Sequence, residues 1–333
     1  MKRPAKTRIV DLAARVGVSA MTVSRALRGV EGVSEAKRAE ILSLAKRLNY
    51  LPDMTARSMA VANSNLVGIA LPTLFNDVFA DVLSGMRGTF RNAGFATVIE
   101  TTDYERAREA EWVERLLSWR PAGIVLTGFD HDASVQRMLA GSGVPVVEIW
   151  DWRPDPIDLC VGIDHRAAGQ ELGAHVRDLG YRRPAFIGAP EGRDSRAEQR
   201  LVGLEQAFGS SVPVVRPPQS NAFEAGLAGG NDLLRAELPD VILCLNDHIA
   251  FGALLACSAA GLTVPGDIGI VGFNGLPLAH VLPVPLTTMR TPRREMGVLA
   301  AQALLARRHG VVQMPVRCLP CSIVPGATTR RQG

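Results

Sequence analysis

At 333 residues, with 47% hydrophobic and 21% charged side chains, the chain has room for roughly two or three folded units and lies outside the low-hydrophobicity, high-charge regime of disorder. No stretch reaches the ~18 consecutive apolar residues of a membrane span, and the opening MKRPAKTRIV has no apolar run of export-signal length, so a soluble, cytoplasmic protein with no membrane association is expected. The net charge of +4 divides unevenly: residues 1–60 hold 12 Lys and Arg, every lysine among them, against 5 Asp and Glu, and the remainder stands at −3, which fits a polyanion-binding front end and equally a solvated helical face.

Residues 7–48 read as three short helices. Ile9, Val10, Leu12, Ala13 and Val16 share one helical face, Gly17 stops the first helix, and Ser19 is a good N-cap for a second that runs to about Leu27. After a turn over residues 28–33, Ser34 caps a third helix with the apolar stripe Ile41, Leu44, Ala45 and Leu48. The first two helices have the spacing of a helix-turn-helix, whose second helix enters a DNA major groove, although the same pattern occurs in small structural bundles. On that helix Ala20, Met21 and Arg25 face outward to base edges, while Val23, Ala26 and Leu27 turn inward. Thr22 and Ser24 suit phosphate contacts, and Arg25 can reach guanine O6 and N7 together.

Residues 49–65, NYLPDMTARSMAVANSN, form a linker: Pro52 breaks the preceding helix, and the run 53–62 is helix-compatible but too short, at about three turns, to stand alone. From residue 66 short apolar runs alternate with amphipathic segments. LVGIALP (66–72), FATVIE (95–100), GIVLTG (123–128) and VPVVEIW (144–150) predict buried parallel strands, separated by helices near 78–93, 105–119 and 131–141. The pattern restarts with LCVGID (159–164), PAFIGAP (184–190), VPVV (212–215), VILCLN (241–246) and IGIVGFN (268–274). Two doubly wound parallel-sheet lobes follow from this grammar, with helices on both faces of each sheet.

No Gly-rich phosphate loop, G-x-S-x-G elbow, H-E-x-x-H or dinucleotide fingerprint stands at a strand end, and the six histidines show no ligand spacing, so neither catalysis nor a cofactor is expected. Five cysteines, an odd number, make no disulfide framework. Cys318 and Cys321 have metal-like spacing, but no second Cys or His pair lies nearby and VRCLPCSIV is strand-like, so no metal is expected.

VSAMTVSRAL, followed by VSEAKRAEILSLAKRLNYLPDMTARSMA, resembles the headpiece and hinge of the lactose/galactose (LacI/GalR) repressor family. The resemblance continues through LNDHIAFGAL (245–254), GLTVPGDIGIVGFN (261–274) and PLTTMR (285–290). Within the family, LPTLFNDVFADVLSGM (71–86), LLSWRPAGIVLTG (116–128), VPVVEIWD (144–151) and VGIDHRAAG (161–169) are most similar to gluconate-operon repressors.

This resemblance implies an all-α helix-turn-helix headpiece (1–50), a hinge (51–65) and an α/β effector-binding and dimerisation domain (66–333) of the periplasmic-binding-protein-like type I class. Its N-lobe is expected at about 66–160 plus 291–318 and its C-lobe at about 161–290 plus 319–333. The implied DNA contacts are Thr7, Ser19, Ala20, Met21, Thr22, Ser24, Arg25, Arg28, Asn49 and Tyr50, with Met59, where Leu is usual, wedging a hinge helix into the minor groove or packing on the core. Two lobes place the ligand in the cleft beyond the carboxyl ends of the strands. Position there nominates Leu74, Phe75, Asn76, Phe79, Thr127, Glu148 and Asp164, and the family pattern nominates Arg200, Phe223, Asn246, Asp247 and Asn274. Asp247 is equally placed to cap the helix that follows, Glu148 at a buried strand end needs a partner, and Arg200 has the planar fork that suits a carboxylate. Asn274 departs from the Asp that many relatives have after VGF, so sugar identity does not carry over from them.

The expected function is a regulator, acting as a repressor of a sugar or sugar-acid (gluconate-like) utilisation operon. It is expected to act as a homodimer or a tetramer and to leave a pseudo-palindromic operator when a small effector binds. A corepressor-type regulator of the same family and a sugar-binding protein without DNA are the alternatives.

Overall fold

The three N-terminal helices form where the capping residues place them. In the computed structural model, which describes residues 7–50, 64–74, 77–219, 221–311 and 315–332, α1 spans Ile9–Val16, α2 Ala20–Arg28 and α3 Glu35–Arg47. Gly17 ends α1 in the left-handed region (φ 68°), a conformation that costs a residue with a Cβ, and Ser19 then accepts a hydrogen bond from the Thr22 N–H at 3.1 Å to start α2. Ser34 repeats this for α3 through the Lys37 N–H at 3.4 Å. Leu12, Val16, Val23, Ala26, Ile41 and Ala45 form the buried core of this unit. Val10, expected on the inward face, is exposed at 48%, because the packed stripe of α1 runs through Leu12, Ala13 and Val16.

Residues 65–333 form the second unit, distinct from residues 1–64. Its first lobe is built on β1 Leu66–Leu71, β2 Ala96–Thr101, β3 Gly123–Thr127, β4 Val146–Asp151 and β5 Leu159–Ile163, with α4 Asp77–Asn92, α5 Arg106–Ser118 and α6 Ala133–Ser142 between them. The second contains α7 His165–Asp178, β6 Pro184–Ile187, α8 Ser195–Phe208, β7 Val214–Val215, α9 Ala222–Arg235, β8 Val241–Cys244, α10 Asp247–Ala259, β9 Gly269–Asn274, α11 Pro277–Val281 and β10 Thr287–Arg290. Three further elements close the chain: α12 Arg293–Arg308, β11 Val316–Cys318 and β12 Ser322–Val324.

The strand orders are β11-β5-β4-β3-β1-β2 and β12-β10-β9-β8-β6-β7, all neighbours parallel except β10 and β12. LCVGID, expected to open the second lobe, is instead the fifth strand of the first sheet: β5 pairs with β4 and with β11. A strand buried on both faces carries the same apolar signature in either sheet, so its pairing is invisible in its own residues. The chain changes lobe after β5, after β10 and after β11, and α12 returns to pack against α4, β4 and β5. In each lobe the strand order reverses where the first strand meets the third, β1 beside β3 and β6 beside β8, the switch points beyond whose carboxyl ends α/β sheets bind ligands.

Candidate functional site

On the first unit, α2 presents Met21, 66% exposed, and Arg25 to solvent, with Ala20 partly exposed beside them, while Val23 and Ala26 are buried beneath. Ser19 and Thr22 hold each other through their hydroxyls at 2.9 Å, which fixes the N-terminal turn of the presented helix. Thr7, Ser24 and Tyr50 are partly buried, Tyr50 against the three-helix core, and Asn49 adopts φ 46° just after α3. The side chain of Arg28 and all of Met59, Phe75 and Asn76 lie outside the described residues. Lys37, counted above among the cations of this segment, donates to the Val16 carbonyl at 3.1 Å and pairs with Glu40, so it ties α3 to the end of α1.

In the second unit a cleft of about 680 Å³ opens at the carboxyl ends of β1, β6 and β8. Of the residues nominated from the sequence, Phe79, Arg200, Phe223, Asn246 and Asn274 line it. Phe79 packs against Trp150 in a tilted pair with ring centroids 5.3 Å apart, giving the first lobe an apolar wall. Arg200 is held in place from three sides: Nε donates to the Arg196 carbonyl (3.1 Å), Nη1 to the Leu245 carbonyl (2.8 Å), and the guanidinium lies 4.3 Å from the Phe273 ring centroid. Its helix sits there because α7 and α8 cross closely: a Cβ on Gly169 would collide with the Arg200 carbonyl, and one on Gly203 with that of Arg166. Burial and the neighbouring Arg196 charge lower the Arg200 pKa to about 10 against the pull of Asp194.

The other nominated residues do different work. Asp247 is fully buried and accepts from the Leu276 N–H and the Thr288 hydroxyl, both at 2.6 Å, tying α10 to α11 and β10; the cap of α10 is Asn246, whose Oδ1 takes the Ile249 N–H at 3.0 Å. Burial raises the Asp247 pKa to about 6 against those two bonds. Glu148 finds the partners its burial requires in Arg153 (3.1 Å), the Ile157 N–H (2.6 Å) and His131 (3.4 Å). Asp164 caps α7 through the Ala167 N–H at 2.9 Å, and Leu74 is exposed. Thr127 donates to the Ala70 carbonyl and lines a side recess of about 70 Å³ rather than the main cleft.

The sequence reading missed a second arginine. Asp194 caps α8 and accepts from both the N–H (3.1 Å) and Nε (2.7 Å) of Arg196, one helical turn before Arg200 in DSRAEQR. Burial would raise the Asp194 carboxyl, but Arg196 and Arg200 outweigh it and hold it low; burial likewise opposes the Arg196 charge, and Asp194 and Asp151 raise its pKa above the ordinary arginine value. Tyr104 faces Arg193 and Arg196 at 5.9 and 5.8 Å and, with Arg193, Asp194 and Arg196, lines both the cleft and the recess. Behind them His165 Nε2 stands 3.1 Å from Asp151 Oδ1 without hydrogen-bond alignment, and burial lowers its pKa, keeping the imidazole neutral.

Three arginines, Arg193, Arg196 and Arg200, and two aspartates, Asp103 and Asp194, line the main cleft, so its lining favours an anion. Asp103, Tyr104, Trp150 and Asn274, with φ of 52°, 64°, 82° and 111°, are four of the six non-glycine residues with positive φ among the described residues, and all four line the cleft. Such conformations cost on the order of 1–3 kcal/mol each and concentrate where a ligand is bound. Among the described residues no group of three or more His, Cys, Asp or Glu side chains could hold a metal ion, and Cys318 and Cys321 flank a passage between the two sheets. No helix among them is long and apolar enough to cross a membrane.

Comparison with known proteins agrees with both units. Residues 8–53 match the model of bacterial regulatory proteins, lacI family, and residues 174–329 that of the periplasmic binding protein-like domain. The chain is 36% identical over 317 residues to the HTH-type transcriptional regulator GntR of Escherichia coli K12, covering 93% of each, and 32% identical to the regulator IdnR of the same organism, covering 89% of this chain and 90% of IdnR. A LacI-family regulator from Silicibacter pomeroyi, solved by crystallography, superposes with a TM-score of 0.90 at 35% identity, over 98% of this chain and 100% of that one. These relatives are transcriptional regulators, not enzymes.

Proposed function

Because this chain belongs to the LacI family and is a DNA-binding transcriptional regulator rather than an enzyme, we propose that it represses a sugar-acid utilisation operon and releases its operator when a gluconate-like acid fills the cleft. The observation that carries this reading is the arginine excess in a cleft that also offers amide and aromatic side chains, a combination suited to a polyhydroxylated anion. A free sugar needs the hydroxyl partners but not the arginines.

On the DNA side, Ala20, Met21 and Arg25 read base edges in the major groove, Ser19, Thr22 and Ser24 sit at the phosphates, and Thr7, Arg28, Asn49 and Tyr50 flank them. Met59 fills an unstacked base step of the minor groove, a distortion costing a few kcal/mol that two paired copies recover. The protein therefore acts as a homodimer on a pseudo-palindrome. Effector bound between the lobes favours a closed arrangement that separates the hinges and weakens the operator complex. By linkage, operator weakens effector binding by the same factor.

Thermal unfolding of the full-length protein with D-gluconate and with D-glucose tests the effector class, since a specific ligand raises stability by mass action. Gluconate is expected to raise the midpoint at millimolar concentration and glucose to leave it unchanged. Equal shifts, or none with gluconate, would remove the sugar-acid reading.

A further inference from the structure

We propose that Arg196 is the side chain by which this protein tells a sugar acid from the neutral sugar alcohol of the same chain length, an inference that rests on the sugar-acid reading above. Arg200, the arginine visible from the sequence, is the more committed of the two: two of its nitrogens are bonded to main-chain carbonyls and its face is stacked on Phe273. Those contacts use part of its donor capacity before any ligand binds, although the side chain still lines the cleft.

Arg196 is different. It is 6% exposed, its Nε is fixed by Asp194, and its Nη1 is buried without a hydrogen-bond partner. A buried guanidinium nitrogen with nothing to donate to is costly, and an oxygen of a bound anion removes that cost. The Asp194 contact freezes the rotamer in advance, so little ordering remains when the ligand arrives.

The surrounding groups say which way the ligand lies. On one side of Arg196 the recess is lined by Glu105, Glu109, Asp130 and Asp151, with Arg106 paired to Asp130, and this acidic lining repels a carboxylate. On the other side lies the main cleft, which shares Arg193 and Asp194 with the recess but adds Arg200 and, among the described residues, only one further carboxylate, Asp103. Asn274 Oδ1 and Gln219 Oε1 line the same cleft as buried acceptors without partners, and they match the hydroxyl donors of a polyol chain. One unpartnered donor on a cation and two unpartnered acceptors form the complement of a molecule with an anionic head and a hydroxylated tail.

Isothermal titration of the full-length protein with D-gluconate and D-glucitol, which differ only in carboxylate against hydroxymethyl, tests the assignment. The wild type is expected to prefer gluconate by about 100-fold, the scale of charge-assisted hydrogen bonds in a buried site. Arg196→Gln should collapse that ratio toward one by weakening gluconate while glucitol affinity stays within about threefold, and Arg196→Lys should keep part of the preference. Should Arg196→Gln unfold because Asp194 is left unpaired, the double variant Arg196→Gln/Asp194→Asn removes both charges and is read the same way. A gluconate preference that survives the loss of Arg196 overturns the proposal. If the wild type binds neither compound, or both equally, the sugar-acid reading itself falls and the inference with it.

Discussion

His131 sits at the centre of a buried charge cluster in the first lobe, and its titration should be visible in the stability of the protein. Its Nδ1 lies 2.6 Å from Glu109 Oε1 and its Nε2 3.4 Å from Glu148 Oε1, with the His131 side chain 1% exposed. Burial opposes the imidazolium, but the bonds and charges of Glu109 and Glu148 outweigh it and carry the pKa from 6.5 up to about 9. A pKa raised on folding means that the folded state binds the proton more tightly than the unfolded chain. The stabilisation is therefore complete below pH 6.5, declines by about 1.4 kcal/mol per pH unit above it, and is gone once pH has risen through 9, a total on the order of 3 kcal/mol. Urea unfolding of wild type and His131→Gln from pH 6 to 10, followed by tryptophan fluorescence, isolates the cluster, because Trp112, Trp119, Trp150 and Trp152 all belong to the second unit and the ionisable groups not coupled to His131 cancel in the difference. The stability gap between the two proteins should shrink steadily between pH 6.5 and 9. A gap that is constant with pH would refute the raised pKa of His131 in this cluster.

Asp247→Ala leaves the Leu276 N–H and the Thr288 hydroxyl buried without an acceptor, and it should lower the urea-unfolding free energy by about 3 kcal/mol while changing gluconate affinity little; a large affinity loss with normal stability would instead place Asp247 at the ligand. Arg25→Ala should cost about 1–3 kcal/mol on the selected operator through one base step of each half-site and far less on random duplex, and equal losses on both in a binding titration would contradict base reading by this residue. Arg200→Ala should leave operator affinity intact and abolish the response to gluconate in a gel shift; a normal response would remove Arg200 from the effector site.

Local signals made the headpiece readable: Gly17, Ser19 and Ser34 punctuate it, and each ends or caps a helix as its chemistry demands. The alternation of apolar runs and amphipathic segments likewise revealed the doubly wound lobes. What stayed hidden was pairing between distant strands, as with β5, whose residues carry no mark of the sheet they join. The site divides along the same line. Phe79, Arg200, Phe223, Asn246 and Asn274 were legible from strand ends and motif likeness, whereas Glu148 and Asp247, equally polar and equally placed in sequence, are satisfied by partners, the loop just after β4 for Glu148 and the distant Leu276 and Thr288 for Asp247. Arg196 carried a usable signal in DSRAEQR, an arginine one turn before Arg200 and just after a capping Asp. Tyr104 and Trp150 had none, because their placement depends on left-handed backbone conformations that no short motif in this chain announces.

The most direct test follows the anisotropy of a labelled duplex, enriched from a random pool on the full-length protein, as protein is added with and without D-gluconate. The account predicts salt-sensitive binding of a protein dimer to a pseudo-palindromic site, a much weaker grip on scrambled sequence, and at least a tenfold loss of specific affinity when gluconate is present. Monomeric binding that is indifferent to sequence and unchanged by the acid would contradict it.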